Sequence, residues 1–515
     1  MVFTIGFGLL FRFDSFATNG NLYEQIQRLM EVVQAVNKFY FESVDSKQLV
    51  DGAITGLLAE LDPHSVYIPA EQMVEVKEQS EGEFEGIGVE FIVYESLPLI
   101  ISAMPGSPAE AIGLRSGDRI TKIDGVPTLR MTNEEVREKM LGRQDTKVTL
   151  EIQRYGFQTP FLVAMTRKRV PIQSVTSAFI IAKEVGYIRV GRFAKSTDDE
   201  FEQALKQLED KGMKRLILDL RGNAGGYLEQ AVRMADQFLK GRKRIVYTRG
   251  RTPGADGDYY SSEKGRYTSQ PLIVLIDHGS ASAAEIVAGA IQDWDRGLIL
   301  GTTSFGKGLV QHQIPFKDGS AVRVTIARYF TPSGRLIQRP YEDGLKEYFE
   351  QGYDDIDPNV ESDTLNTKPV YITSAGRKVY GGGGITPDIR ILSPLLSSWT
   401  LSLIQNQVLL DCASRFASSN KNLESDFDSF VNEFTLPEMI FAQVRLKAGQ
   451  RNVTIQNWED EKDVEFVRRR LKSQIARHFW GTEGYNYLEV VQEPIVRQAL
   501  NYFEDAENIA KLAIE

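Results

Sequence analysis

The sequence predicts a multidomain α+β protein, and three observations carry that expectation. Between residues 185 and 301 apolar strands alternate with amphipathic helices, the order that builds a largely parallel sheet. Before it, over residues 84–154, short strands are punctuated by glycines and an Asp-Gly turn. At both ends, residues 20–61 and the part after about residue 395, apolar residues recur at helical spacing. A chain of 515 residues has room for roughly three or four domains. Its 42% hydrophobic and 25% charged residues supply a large core and exclude wholesale disorder.

The start of the chain, residues 1–11, is apolar but has no basic stretch and no evident small-residue cleavage site. It reads equally as the remnant of a signal or anchor and as a buried N-terminal strand. No run of about 18 apolar residues follows, so no transmembrane helix is expected. Leu22, Ile26, Leu29, Met30, Val33 and Val36 mark one helix. A second covers residues 46–61 and stops before Asp62-Pro63, because the residue ahead of proline disfavours helical geometry. The pair is expected to pack on a core, with a dimerisation arm as the alternative. Residues 75–83, acidic and polar, read as a linker, so the N-terminal helical region is placed at 1–80.

Gly86-Ile87-Gly88-Val89-Glu90-Phe91 opens a strand, and residues 98–104 give another. Ser107-Pro108-Ala109-Glu110 starts a short helix, and residues 114–120 turn into a strand ending at Asp124-Gly125. Residues 134–141 read as helix and 147–154 as strand. This order resembles a PDZ domain, placed at 81–160, and Gly86, Ile87, Gly88 and Val89 resemble its carboxylate-binding loop. Two glycines let successive backbone N–H groups converge on a peptide's terminal carboxylate. The strand that follows can then pair with the peptide.

In the α/β part, residues 198–211 form a helix with Phe201, Ala204, Leu205 and Leu208 on one face. The buried strand 215–220 ends in Arg221-Gly222-Asn223-Ala224-Gly225-Gly226, and a helix follows to about Leu239. The strand 271–276 leads through Gly279-Ser280-Ala281-Ser282 into a helix ending near Asp293, and 298–301 is a further strand. Residues 341–368, polar and acidic, read as a surface excursion. After residue 395 the stripe Val464, Val467, Leu471 and Ile475 marks an accessory helical domain, 396–515.

Charge and residue counts remove several function classes. A net charge of −10 argues against a dedicated nucleic-acid binder. The single cysteine, Cys412, makes neither an intramolecular disulfide nor a multi-cysteine zinc site. His64, His278, His312 and His478 are the only histidines and no HExxH motif is present, so a zinc protease is not expected. A phosphate-loop lookalike, Gly301 to Gly308, fits G-x-x-x-x-G-K, but Gly308 stands where Ser or Thr would hold magnesium.

The same stretch supports a different chemistry. Ser282 follows a buried strand and starts a helix, where free N–H groups can stabilise a developing oxyanion. An isolated serine there also serves as a helix N-cap. Lys307, between glycines and near Phe305, can act as its base if burial disfavours the charged amine. Gln311 lies four residues on, and i and i+4 share a face in helix or strand, so its amide can orient the lysine.

Together these segments resemble the carboxyl-terminal processing, or tail-specific, proteases. The resemblance rests on Ser282 in Gly-Ser-Ala-Ser-Ala-Ala-Glu and on Phe305-Gly306-Lys307-Gly308-Leu309-Val310-Gln311. It rests also on residues 218–226, on Asp62-Pro63-His64-Ser65-Val66-Tyr67 and on Gly384-Ile385-Thr386-Pro387-Asp388. It covers roughly residues 25–395; Ala284 stands where the family often has serine. The resemblance implies a crotonase-like (ClpP/crotonase-type) α/β protease core at 161–395 with the PDZ domain inserted before it. It implies a serine endopeptidase with Ser282 as nucleophile, Lys307 as general base and Gln311 positioning the lysine. The Ala283 N–H would donate to the oxyanion, with Gly225 or Gly226 as second donor. Substrates would be proteins with apolar C-terminal tails, in the bacterial cell envelope or periplasm. Neither a metal nor another cofactor is expected, nor a nucleic-acid partner; the resemblance leaves room for an adaptor protein and a homodimer. The alternative function is a catalytically silent PDZ scaffold.

Overall fold

The computed structural model describes residues 22–342, 344–350, 368–392, 394–458 and 460–512. The expectations for residues 1–11 and for most of the 341–368 excursion lie outside them. The chain divides into two compact units, one of residues up to 70 with 313–324, the other holding the rest.

In the smaller unit, helices Leu22–Phe39 and Ser46–Ala59 form where the periodicity placed them. Asp45 caps the second, its carboxylate accepting the Lys47 N–H at 2.8 Å. The strand Val66–Ile68 pairs antiparallel with residues 321–323. The first helix does not pack on a core: none of its residues is buried, and Leu22 and Phe39 are 72% and 75% exposed. Leu22, Ile26, Leu29 and Met30 of its apolar stripe are exposed, while Val33 and Val36 are half-buried.

The larger unit opens with residues 71–81 of helix Ala70–Glu81, which takes up most of the linker expected at 75–83. Next comes an antiparallel sheet of strands Val89–Tyr94, Leu97–Ala103, Arg119–Ile123, Lys147–Gln153 and Phe161–Thr166. Asp124-Gly125 makes the two-residue turn that sets Ile123 opposite Val126. Alternation along the sheet sends Ile100, Ile120, Leu150 and Ile152 to one core, which Val136 and Met140 of helix Asn133–Met140 close. This sheet runs past residue 160, because Phe161–Thr166 pairs along the whole of Lys147–Gln153. Glu83–Gly86 then pairs with Lys168–Pro171, which fastens the entering chain to the leaving one.

The central sheet has the order Val175–Ala182, Val185–Val190, Arg215–Asp219, Leu272–Ile276, Leu298–Gly301, Ile389–Arg390. Its first pair is antiparallel and the others parallel. Leu272–Ile276 is buried along its whole length, as expected of a strand covered on both faces. One face, with Ile188, Leu218 and Val274, packs against helices Thr197–Asp210, Leu228–Asp236 and Ala283–Asp293. The other face, with Tyr187, Ile217, Ile273 and Leu275, packs against Ile495, Val496, Ala499 and Phe503. The end of the chain is thus a layer of the central α/β sandwich and not part of a separate helical domain. Only the stretch before it, with Trp399, Leu409, Phe416, Ile440, Leu471 and Ile475, builds a core of its own.

Candidate active site

Ser282 sits between strand Leu272–Ile276 and helix Ala283–Asp293, at the helix N-cap position. Its backbone has φ 55° and ψ −112°, a region that costs an L-residue strain. Neighbouring bonds hold it there. Buried Ser280 donates its hydroxyl to Leu220 O at 2.8 Å, and the Ala281 N–H donates to Asn223 O at 2.9 Å. Gly225 lies against the serine: a Cβ on it would come within 2.8 Å of Ala281 O and of Ser282 Cβ, and its φ is +98°. Only glycine lets the two loops touch in this way.

The Gly225 N–H donates to Asn223 Oδ1 at 2.8 Å. Phe193 is pinned to the same loop, its N–H donating to Gly225 O and its carbonyl accepting the Tyr227 N–H. This bridge takes the Gly225 carbonyl and the Tyr227 N–H, and the Gly226 N–H is not part of it. The Ala283 N–H belongs to the first helical turn and has no intrahelical acceptor.

Lys307 occupies the loop between strands Leu298–Gly301 and Leu309–Pro315. That loop is fixed through its backbone. Phe305 N–H donates to Ser280 O at 2.9 Å, and Gly308 N–H donates to Gln338 Oε1 at 2.8 Å. The Glu285 carboxylate accepts the N–H of Ser282 at 2.8 Å, of Gly306 at 2.7 Å and of Lys307 at 2.9 Å. It also accepts the Ser304 hydroxyl at 2.5 Å. The Tyr329 hydroxyl lies 3.1 Å from Ser282 O and 2.5 Å from Lys307 O and donates between them. The serine and lysine loops are therefore tied together by one carboxylate and one phenol.

Glu285 is fully buried, and this burial pushes its pKa up to about 7 against the bonds from Ser304, Lys307, Gly306 and Ser282. Burial, then the Glu285 charge, raises the Tyr329 pKa well above its usual value, so the phenol stays a neutral donor. Neither residue was singled out from sequence. Glu285 had a signal: Ser-x-x-Glu at the head of a helix is the capping-box spacing. Tyr329 had none, since it arrives from strand Ala321–Phe330. The Glu285 bonds also dispose of the phosphate-loop lookalike, because the Gly306 and Lys307 amides that would cradle a phosphate already face a carboxylate.

Gln311 lies on strand Leu309–Pro315, and its amide donates to Thr325 Oγ1 at 3.4 Å. Lys307 precedes that strand, so the shared-face argument that paired the two does not apply. His478 is elsewhere, its Nδ1 3.2 Å from Ser116 O.

In the antiparallel domain, Gly88 has φ +74° and a Cβ there would fall 2.2 Å from Ser107 Cβ. Its carbonyl accepts the Met104 N–H and the Ser107 hydroxyl, while Ile87 O accepts the Ala109 N–H. Gly86 ends its strand opposite Lys168. Beside this loop, a cavity of about 230 Å³ is lined by Phe84, Ile87, Val89, Phe91, Met104 and Met140. Helix Ala70–Glu81 supplies one wall, with Glu78 3.0 Å from Arg137.

Comparison with known proteins places this architecture. Residues 184–347 match the model of peptidase family S41, 99–154 a PDZ domain, and 13–72 the N-terminal domain of the activating protease CtpB. Residues 399–481 match a family of unknown function. A carboxy-terminal-processing protease of Bartonella bacilliformis is 38% identical over 332 residues, 63% of this chain and 76% of that protein. The carboxy-terminal processing protease CtpA of Bacillus subtilis is 34% identical over 349 residues, 67% of this chain and 74% of its own. Among solved structures, a photosystem II D1 C-terminal processing protease aligns at 26% identity and TM-score 0.38, covering 72% of this chain and 93% of that one. The chain belongs to the carboxy-terminal processing proteases of peptidase family S41. It is a serine-type peptidase with a PDZ domain.

Proposed function

We propose that the chain is an endopeptidase that takes the C-terminus of a protein substrate in its PDZ groove and cleaves the tail with Ser282 and Lys307. The neutral Lys307 amine accepts the Ser282 hydroxyl proton as Oγ attacks the scissile carbonyl. The oxyanion then lies against the Ala283 N–H. The Gly225 N–H is already given to Asn223, so the neighbouring Gly226 N–H is the second donor we assign. The lysine returns its proton to the leaving amine, and water, deprotonated by the same lysine, releases the acyl group from Ser282. The core is of the crotonase type under this reading, and the protein works in the cell envelope. Among the described residues no helix is long and apolar enough to cross a membrane. Apolar tails suit the groove because Ile87, Val89, Phe91 and Met140 line it. The exposed stripe of helix Leu22–Phe39 is where we place a homodimer contact.

The observation that carries the reading is Glu285, one buried carboxylate that accepts the backbone N–H of both proposed dyad residues. The test is cleavage of a protein with an unstructured apolar tail, followed by mass spectrometry, with the terminus free or amidated. Wild type is expected to cut, Ser282→Ala and Lys307→Ala to lose cutting, and the amide to raise KM. Cutting that survives Ser282→Ala sinks the mechanism. Tail binding without cutting by wild type returns the scaffold reading.

A further inference from the structure

The loop that carries Gly225 and Gly226 begins at Arg221, and Arg221 is held from the far end of the chain. Its Nη1 and Nη2 donate to Glu493 Oε1 and Oε2, both at 2.8 Å, a two-pronged pairing. Its Nε and Nη2 donate to Asp219 Oδ2 at 3.1 and 2.5 Å. Asp219 is fully buried and accepts the Tyr187 hydroxyl at 2.6 Å. Arg221 thus spans a carboxylate of the central sheet and one from the C-terminal region, with 8% of its surface exposed.

Glu493 is itself held in place. It lies at the junction between the helical segment that ends at Gln492, itself preceded by a kink at Trp480-Gly481, and helix Pro494–Ala499, with Pro494 fixing the next turn. Ile495 and Val496 follow and pack on the face of the central sheet. Downstream of Arg221 the loop is Gly222-Asn223-Ala224-Gly225-Gly226, whose glycines contribute no side-chain packing. Its position rests on hydrogen bonds: Gly222 N–H to Asp277 Oδ1 at 2.8 Å, Asn223 Nδ2 to Val190 O at 2.8 Å, Ala281 N–H to Asn223 O at 2.9 Å, Gly225 N–H to Asn223 Oδ1 at 2.8 Å, and the Phe193 bridge. The arginine clamp fixes where it starts.

We propose that Glu493 is a positioning residue for the oxyanion loop, so that the protease site is complete only with the C-terminal helices docked. This rests on the reading of Gly226 as an oxyanion donor. A misplacement of about 1 Å at such a donor costs on the order of a hundredfold in rate.

The test compares full-length wild type with Glu493→Gln, Val496→Ala and Ser282→Ala. Readouts are kcat, KM, inhibition by a peptide boronate that forms a tetrahedral adduct on serine, and the thermal melt. For Glu493→Gln the expected result is kcat lower by about tenfold or more with KM within about twofold. Boronate inhibition should weaken by the same factor. Val496→Ala, which opens a hole in the same packing, should lower the melting temperature and leave kcat near wild type. A kcat for Glu493→Gln within about twofold of wild type overturns the proposal, as does an equal kcat loss in Val496→Ala. If Glu493→Gln does not fold, Glu493→Asp keeps the charge with a shorter reach, and a wild-type kcat there overturns the proposal. Ser282→Ala separates the two levels. If it still cuts, the site reading fails; if it is dead and Glu493→Gln is fast, only this inference fails.

Discussion

Glu285 accepts four donors in a place water does not reach, and its protonation state should appear in the enzyme's pH profile. Its folded pKa, about 7, lies above the unfolded value of a glutamate. The folded protein therefore holds a proton that the unfolded chain has released between roughly pH 4.5 and 7. This group favours folding most below the unfolded pKa, and that contribution is lost as pH rises through about 7. Activity should run the other way, because the ionised carboxylate is the better acceptor for the Ser282, Gly306 and Lys307 amides. The expectation is a kcat/KM that rises through about pH 7, and a Glu285→Gln variant that is slower and lacks the step. A step that persists in that variant assigns the ionisation to another group. Gly225→Ala tests the neighbouring contact. A Cβ at 2.8 Å from Ala281 O, on a backbone with φ +98°, should cost about 1–3 kcal/mol in urea unfolding and most of kcat.

At the scale of elements, the misread segment is informative. Residues 70–81 form a helix without a single buried residue, so no apolar period announced it. What holds it is tertiary: its Glu78 reaches Arg137, and its end is fastened by the Gly82 N–H to Glu78 O. The Glu78–Arg137 pair is partly exposed, so its own contribution is at most about 1 kcal/mol. Its effect is to set one wall of the groove. The proposed carboxylate-binding loop offers a cleaner test. Gly88→Ala would place a Cβ 2.2 Å from Ser107 Cβ and force the loop to move. Tail-peptide affinity by fluorescence anisotropy should fall by about tenfold or more, while kcat at saturating substrate stays near wild type. A loss of kcat with unchanged affinity would remove the PDZ loop from substrate capture.

At the scale of the molecule, the central sheet needs its C-terminal helices. Phe503 is 3% exposed among Tyr187, Ile217 and Ile273 of that sheet's second face. Phe503→Ala should cost about 3–5 kcal/mol in denaturant unfolding. A loss under about 1 kcal/mol would mean that this layer docks only weakly.

The sequence by itself determined most of the elements and the two dyad candidates. Helical and strand periods are local properties, so Leu22–Phe39, Thr197–Asp210 and Leu272–Ile276 stood where the pattern put them. The glycine loops, Ser282 and Lys307 were legible because their spacing is written in short contiguous motifs. Only the tertiary structure decided which groups hold those motifs together. Tyr329 and Glu493 meet the serine and glycine loops from 47 and 272 residues away, and no local period records such a meeting. The same holds for the C-terminal helices. Their apolar stripes demanded a partner, but a stripe does not say which surface it will cover, and strands apolar on both faces were the surface left open.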